Sequence, residues 1–507
     1  MRKFIIIFLL IPSLNAWAQK SSKKQNKKND PTVFAKTITP DNLKKHLYIV
    51  ASKEMEGRET ATVGQRKAAA YIEDQFRSLG LIPGNKGEYQ LQYPVYQDSL
   101  INATVQVNGQ SYELDKDFYL TISQSNSATY RFSEVVFVGN GIVDSTHDDY
   151  KGIDVAGKVV MMLAGGSAQT SSRFSNPRSD AAQKRGAVAV LIISPGFPRQ
   201  TKTNPKGTMY LNAFQKTVRP NLFTISEKMA NAIMDGDYAN AKAGKTTAKT
   251  YSADVLLSFN KNVSSLQSSN VLGLLEGTDL KDEYVFITAH YDHLGKRDTV
   301  IWYGADDDGS GTVSVLEMAK AFVKAKAAGH GPRRSIVFMT VSGEEKGLWG
   351  SEYYTNHPVY PLEKTTVDLN IDMIGRIDAI RKQGDSMNYV YVVGDDKVSS
   401  DLKPISEATN KRYTNLELDY KFNDPKDPQR IYFRSDHYNF ASKGVPIIFY
   451  YDGMLGADYH KPTDTPEKIY YDLMAKRAQL VFYTAWDMAN RDEMLKRDLK
   501  LEVPKGF

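Results

Sequence analysis

Five short clusters in this chain carry side chains that bind metals or move protons. His290-Tyr291-Asp292-His293 comes first, followed by Gly304-Ala305-Asp306-Asp307-Asp308-Gly309-Ser310-Gly311. Then come Glu344-Glu345, Asn370-Ile371-Asp372 and Asp458-Tyr459-His460. Each offers carboxylate oxygen or imidazole nitrogen, a donor set that zinc accepts, and no cysteine competes. A carboxylate directly beside a metal ligand is what a metal-assisted hydrolase needs as a base, and Glu344-Glu345 supplies such a pair. Singly, the clusters mean little. A lone Asp307 reads as a turn residue, and a lone His290 as a buried, hydrogen-bonded histidine. Their recurrence at comparable places in successive elements is what points to a site.

Those elements are readable from the apolar pattern. Tyr284–Ala289, Ser335–Val341, Val367–Ile371, Tyr389–Val393 and Val445–Tyr450 are nearly continuous apolar runs, which suit strands covered on both faces. Helical patterns alternate with them at 312–326, 401–410 and 466–491. The alternation predicts an α/β fold: a doubly wound, mostly parallel sheet flanked by helices. Such sheets bind ligands beyond the carboxyl ends of their strands. His290 directly follows one run, Glu344-Glu345 closely follow a second, and Asp372 ends a third. His293 stands three residues after His290, a spacing that would suit a shared metal on a helix. At a strand end it is expected to be structural or to support a ligand from behind, and His437 is expected to be structural.

The remaining chain reads as follows. Arg2-Lys3, the apolar stretch Phe4–Ile11 and the Ala16-Trp17-Ala18 cleavage pattern make residues 1–18 a signal peptide. The protein is therefore expected to be exported, periplasmic or secreted. Residues 19–38 form a flexible basic linker. Much of the formal net charge of +6 comes from its Lys20, Lys23, Lys24, Lys27 and Lys28, so the charge gives no case for nucleic-acid binding. No second run is long enough to anchor the chain in a membrane, and the lack of cysteine excludes disulfides and lipidation through cysteine.

Residues 39–130 read as the N-terminal part of the chemical domain. One helix there is capped by Asp41, a second runs from about Val63 to Leu79, and short strands follow from Tyr89. Residues 131–255 read as a small β-rich α/β insert, 256–492 as the catalytic domain and 493–507 as a tail. The chain ends soon after its last helix, so a monomer is expected.

The order of motifs from His290 to His460 resembles that of M28 zinc exopeptidases of the co-catalytic, two-zinc aminopeptidase type. The insert resembles a protease-associated domain through Asp148-Asp149-Tyr150, the turn at Gly157 and Ala181-Ala182 to Gly186-Ala187. The resemblance implies two zinc ions per chain. His290 and Asp372 would hold one, Glu345 and His460 the other, and Asp307 would bridge both. It implies Glu344 as general base, Asp292 as the acceptor of the free ring N–H of His290, and Tyr459 as an oxyanion donor. Arg434 would lie near the substrate pocket. The family's acidic partner for a terminal amine has no glutamate here, which leaves Asp424 or Asp427. Peptide hydrolysis at the N-terminus is the activity implied. Carboxypeptidase or dipeptidase action, a glutaminyl-cyclase-like acyl transfer and a metal-free binding role stay open, as does the register among Asp306, Asp307 and Asp308.

Overall fold

The computed structural model describes residues 30–122, 125–165, 177–212, 214 and 218–504. The leader expected at 1–18 lies outside them, as does 19–29 of the basic segment. Residues 32–38, counted above as linker, include a helical turn, Thr32–Ala35, and bury Ala35 and Ile38 completely. The lysines just upstream hide these apolar residues from a reading based on composition.

The chain divides into two units: the described parts of Met1–Tyr93 with Gln267–Phe507, and Pro94–Leu266. It enters the second within strand Gln90–Val107 and leaves it within strand Lys249–Leu275.

The first unit is built on a mixed, mostly parallel sheet. Its strands are β1 (Lys249–Leu275, through residues 271–275), β2 (Leu280–His290), β3 (Arg334–Val341), β4 (Thr365–Ile371), β5 (Tyr389–Val393), β6 (Glu417–Asp419) and β7 (Ile447–Tyr451). They lie in the order β6-β5-β7-β4-β2-β3-β1. β2 pairs in parallel with β3 and β4, and β4 with β7. β1 runs antiparallel to β3, and β5 to β7. Every residue of β3, β4, β5 and β7 is buried, because helices cover both faces. This is the α/β architecture expected from the apolar runs.

The helices are α1 (Pro40–Val50), α2 (Val63–Ser78), α3 (Gly311–Ala327), α4 (Trp349–Asn356), α5 (Leu402–Tyr413), α6 (His437–Ser442) and α7 (Tyr471–Asn490). The cap of α1 is Thr39, not Asp41. Its hydroxyl accepts the N–H of Asn42, and Pro40 occupies the first turn, where a missing N–H costs nothing. Thr62 caps α2 in the same way. Ala68, Ala69, Ile72 and Phe76 of α2 are fully buried. Burying a side chain the size of Ile72 or Phe76 contributes about 1.5–3 kcal/mol. After α7 the chain stays attached: Leu495 is buried, and its N–H donates to the Thr366 hydroxyl.

In the second unit, Ala128–Phe137, Val159–Leu163, Ala189–Ser194 and Asn221–Ser226 form a parallel series. The first half of Lys249–Leu275 closes one edge antiparallel, and Phe118–Leu120 the other. Both groups of histidine and carboxylate side chains able to hold a metal lie in the first unit, among the described residues.

Candidate metal centre

Parallel pairing sets four strand ends side by side. His290 is the last residue of β2, opposite Val341 at the end of β3. Asp372 immediately follows β4, and the loop carrying Tyr459 and His460 follows β7. After β3 the chain must turn sharply to bring Glu344 and Glu345 back toward β2. Gly343 makes the turn at φ 80°, where a Cβ would stand 2.8 Å from the Tyr93 hydroxyl and 2.9 Å from Cβ of Trp349. Only glycine fits there.

The aspartate run between Gly304 and α3 divides its work among three identical side chains. Asp308 accepts the backbone N–H groups of His290, Gly311 and Met373 at 3.2, 2.8 and 3.0 Å, tying the ends of β2 and β4 to the start of α3. Asp306 accepts the N–H of Gly375 at 2.8 Å. That leaves Asp307, whose Oδ1 lies 3.2 Å from His290 Nε2 and whose Oδ2 lies 3.2 Å from His460 Nε2. Asp464, absent from the sequence reading, accepts the N–H groups of Asp306 and Asp307 and so holds the run from outside.

Two groups of donors result, and Asp307 belongs to both. In the first, His290 Nε2 also lies 3.5 Å from Asp372 Oδ1. In the second, His460 Nε2 lies 3.0 Å from Glu345 Oε2. His293, expected to be structural or to support a ligand, lies beside this second group, its Nδ1 2.7 Å from Glu345 Oε1. Asp292 departs from its expected bond. The nearer partner of His290 Nδ1 is the Asp292 carbonyl, at 3.1 Å, with the carboxylate 3.7 Å away. The Asp292 carboxylate instead accepts the Thr60 hydroxyl at 2.7 Å and the backbone N–H of Glu344 at 3.2 Å.

The electrostatics match this geometry. Burial alone would lower His460, but the carboxylates of Asp307 and Glu345 push it up to about 10. Burial would raise Glu345, but His293 and His460 hold it at about 2. Burial lifts Glu344 well above the usual carboxylate range, opposed by His290. The centre is thus a concentrated negative field around imidazoles, and what attracts a proton to a buried imidazole also attracts a cation. His290 Nε2, both ring nitrogens of His293, Asp307 Oδ2 and Glu345 Oε1 are buried without a hydrogen-bond partner. Orphan polar atoms are costly in a folded interior. His290 Nε2, one nitrogen of His293, Asp307 Oδ2 and Glu345 Oε1 among them fit metal donors.

A cleft opens onto the centre, lined by Asp307, Glu344 and Asp372 with Met373, Ile431, Phe449, Tyr451, Leu455, Tyr459 and Arg434. Arg434 Nη2 donates to the Tyr459 hydroxyl at 2.9 Å. Asp427 is not in the lining. It accepts the N–H of Ile431 and braces the turn Ile431–Phe433, while Asp424 lines a different hollow, with Asp396 and Lys397.

Residues 270–485 contain all of the donors just described and match the family model described as peptidase family M28. This part of the chain belongs to peptidase family M28. A relative from Trichophyton verrucosum (strain HKI 0517), named "Probable leucine aminopeptidase", is 25% identical over 368 residues, 61% of this chain and 98% of its own. A "Vacuolar membrane protease" of Saccharomyces cerevisiae (strain YJM789) is 30% identical over 162 residues, 31% of this chain and 15% of its own. Among solved structures, an aminopeptidase from Aneurinibacillus sp. strain AM-1 is similar with TM-score 0.56 and 21% identity, covering 93% of this chain and 100% of that one. A zinc aminopeptidase from Bacillus subtilis is similar with TM-score 0.51 and 19% identity, covering 92% and 98%. At such identities the structures establish a shared fold. No helix among the described residues is long and apolar enough to cross a membrane.

Proposed function

We propose that this M28 peptidase is an exported, zinc-dependent aminopeptidase that removes N-terminal residues from peptides. The observation that carries the reading is the pair of donor groups sharing Asp307, with five orphaned polar atoms and Glu344 beside them. His290, Asp307 and Asp372 would hold one zinc ion, and Asp307, Glu345 and His460 the other. Bound there, zinc supplies a Lewis acid for the scissile carbonyl and lowers the pKa of water to about 7.

The protein's own groups do the rest. Glu344 lines the cleft, and burial raises its carboxyl above the usual carboxylate range, which makes its carboxylate a stronger proton acceptor. It takes a proton from the attacking water and returns it to the leaving nitrogen. Tyr459 is raised above its ordinary value, chiefly by burial and then by the charge of Asp307. It therefore keeps its proton and can donate it to the developing oxyanion. Arg434 bonds the same hydroxyl oxygen and aims it. Met373, Ile431, Phe449, Tyr451 and Leu455 give the cleft an apolar wall suited to an apolar side chain. The carboxylates of Glu344 and Asp372 favour a substrate's ammonium end over a carboxylate. The leader-like residues 1–18 support export.

The test is a mixed pool of free and N-acetylated peptides, incubated with the protein with and without a zinc chelator and read by mass spectrometry. Chelator-sensitive loss of single residues from free N-termini alone is the expected result. Trimming from the C-terminus regardless of acetylation would replace this reading with a carboxypeptidase.

A further inference from the structure

His293 is completely buried, and neither of its ring nitrogens has a hydrogen-bond partner. Its Nδ1 lies 2.7 Å from Glu345 Oε1, yet that oxygen is also without a hydrogen bond. Two polar atoms that approach so closely without the alignment of a hydrogen bond are placed as two donors to one cation are placed. Nδ1 is also 4.0 Å from Asp307 Oδ2. The ring cannot easily swing away. Gly304 packs against it so closely that a Cβ there would stand 2.5 Å from the His293 Cγ, and the His293 N–H is bonded to the Arg58 carbonyl.

We propose that His293 is a further protein ligand of the second metal ion. This rests on the two-ion reading above. The second ion would then have four side-chain donors, Asp307, Glu345, His460 and His293, the number that fills a structural zinc site. The first would keep three, His290, Asp307 and Asp372, the number typical of a zinc site with a position open to water or substrate. Glu344 stands on the open side, its Oε2 3.9 Å from His290 Nε2. The two ions would therefore be unequal: the second filled by side-chain donors, the first with a position left for water or substrate.

The alternative is that His293 donates a hydrogen bond to Glu345 and never touches the metal. A pair of near-isosteric substitutions separates the two. Aspartate and asparagine both place an atom close to where Nδ1 stands. Aspartate is an anionic zinc donor with no N–H, and asparagine offers an N–H but is a poor zinc ligand. Zinc bound per chain would be measured by mass spectrometry after dialysis, with stepwise affinities from titration against a chromophoric chelator. Wild-type protein should hold two ions. His293→Asp should keep two, and His293→Asn should keep one, binding the other at least about tenfold more weakly than His293→Asp does. The remaining ion is the internal control for folding. Equal affinities in the two variants, the reverse order, or parallel weakening of both ions in His293→Asn would overturn the assignment. Wild-type protein that takes fewer than two ions would overturn the two-ion reading itself, and this assignment with it.

Discussion

The Thr60 hydroxyl donates to the Asp292 carboxylate at 2.7 Å across 232 residues of chain, and both side chains are fully buried. The other carboxylate oxygen of Asp292 accepts the backbone N–H of Glu344. A residue just ahead of α2 therefore fixes the carboxylate that fixes the backbone of Glu344, the base of the proposed reaction. Thr60→Val keeps the shape and removes the hydroxyl. Support for a site from such outlying bonds is typically worth about 10–100-fold. We expect kcat to fall within that range while two zinc ions per chain are retained. A variant with wild-type kcat would show that Asp292 holds Glu344 without help.

Glu344 adjoins a ligand but belongs to neither donor group. Glu344→Gln should therefore leave zinc content unchanged. Turnover should drop by about 10²–10⁴, the usual contribution of a general base. The two quantities need to be read on the same sample. Normal turnover would remove Glu344 from the mechanism, and loss of zinc would recast it as a ligand.

Much of this site was legible because its donors sit at the ends of apolar strands. β2, β3 and β4 are continuous apolar runs, so the sheet and the places of His290, Glu344-Glu345 and Asp372 followed from pattern alone. What the sequence withheld were choices made by distant or backbone partners. Asp306, Asp307 and Asp308 are chemically identical. They are told apart only by which backbone N–H groups claim a carboxylate: those of His290, Gly311 and Met373 claim Asp308, and that of Gly375 claims Asp306. His293 was set aside as a ligand because its spacing from His290 suits a shared metal only on a helix, and it stands at a strand end. The turn after β2 folds its ring back onto Glu345, which no periodicity announces. Asp427 drew attention as an acidic residue upstream of Arg434, but its carboxylate braces a turn and is not in the cleft lining. Thr60 and Asp464 carry no motif of their own.

Tyr459 and Arg434 form one unit in the cleft, joined at 2.9 Å. Removing a single oxyanion donor typically costs about 10²–10³ in kcat, and Tyr459→Phe should show such a loss with little change in KM. Arg434→Lys keeps the charge but loses the planar fork that aims the hydroxyl. It should lower kcat less than Tyr459→Phe does, and the double variant should be no worse than Tyr459→Phe alone. Fully additive losses would mean that the two residues contact the substrate separately. The cycle is read from kcat and KM on one peptide.

Arg58 is one of the fully buried arginines of the first unit. Its guanidinium donates to four backbone carbonyls: Tyr291 at 2.7 Å, Val50 at 2.9 Å, Tyr303 at 2.7 Å and Gly304 at 2.9 Å. Two of these flank the metal-binding segments, since Tyr291 follows His290 and Gly304 opens the aspartate run. Arg58→Met would fill the space but leave the carbonyls without their donors. A hydrogen bond to a charged group is worth about 1.5–3 kcal/mol, and a buried acceptor left unpaired is penalised further. Even with partial relaxation, metal-free Arg58→Met should unfold with a stability lower by about 3 kcal/mol or more, seen as a lower urea midpoint at unchanged slope. Arg58→Lys should fall between the two, because an ammonium has three donors and no fork. A loss under about 1 kcal/mol for Arg58→Met would mean that water takes over the carbonyls and that the segments hold their places without this arginine.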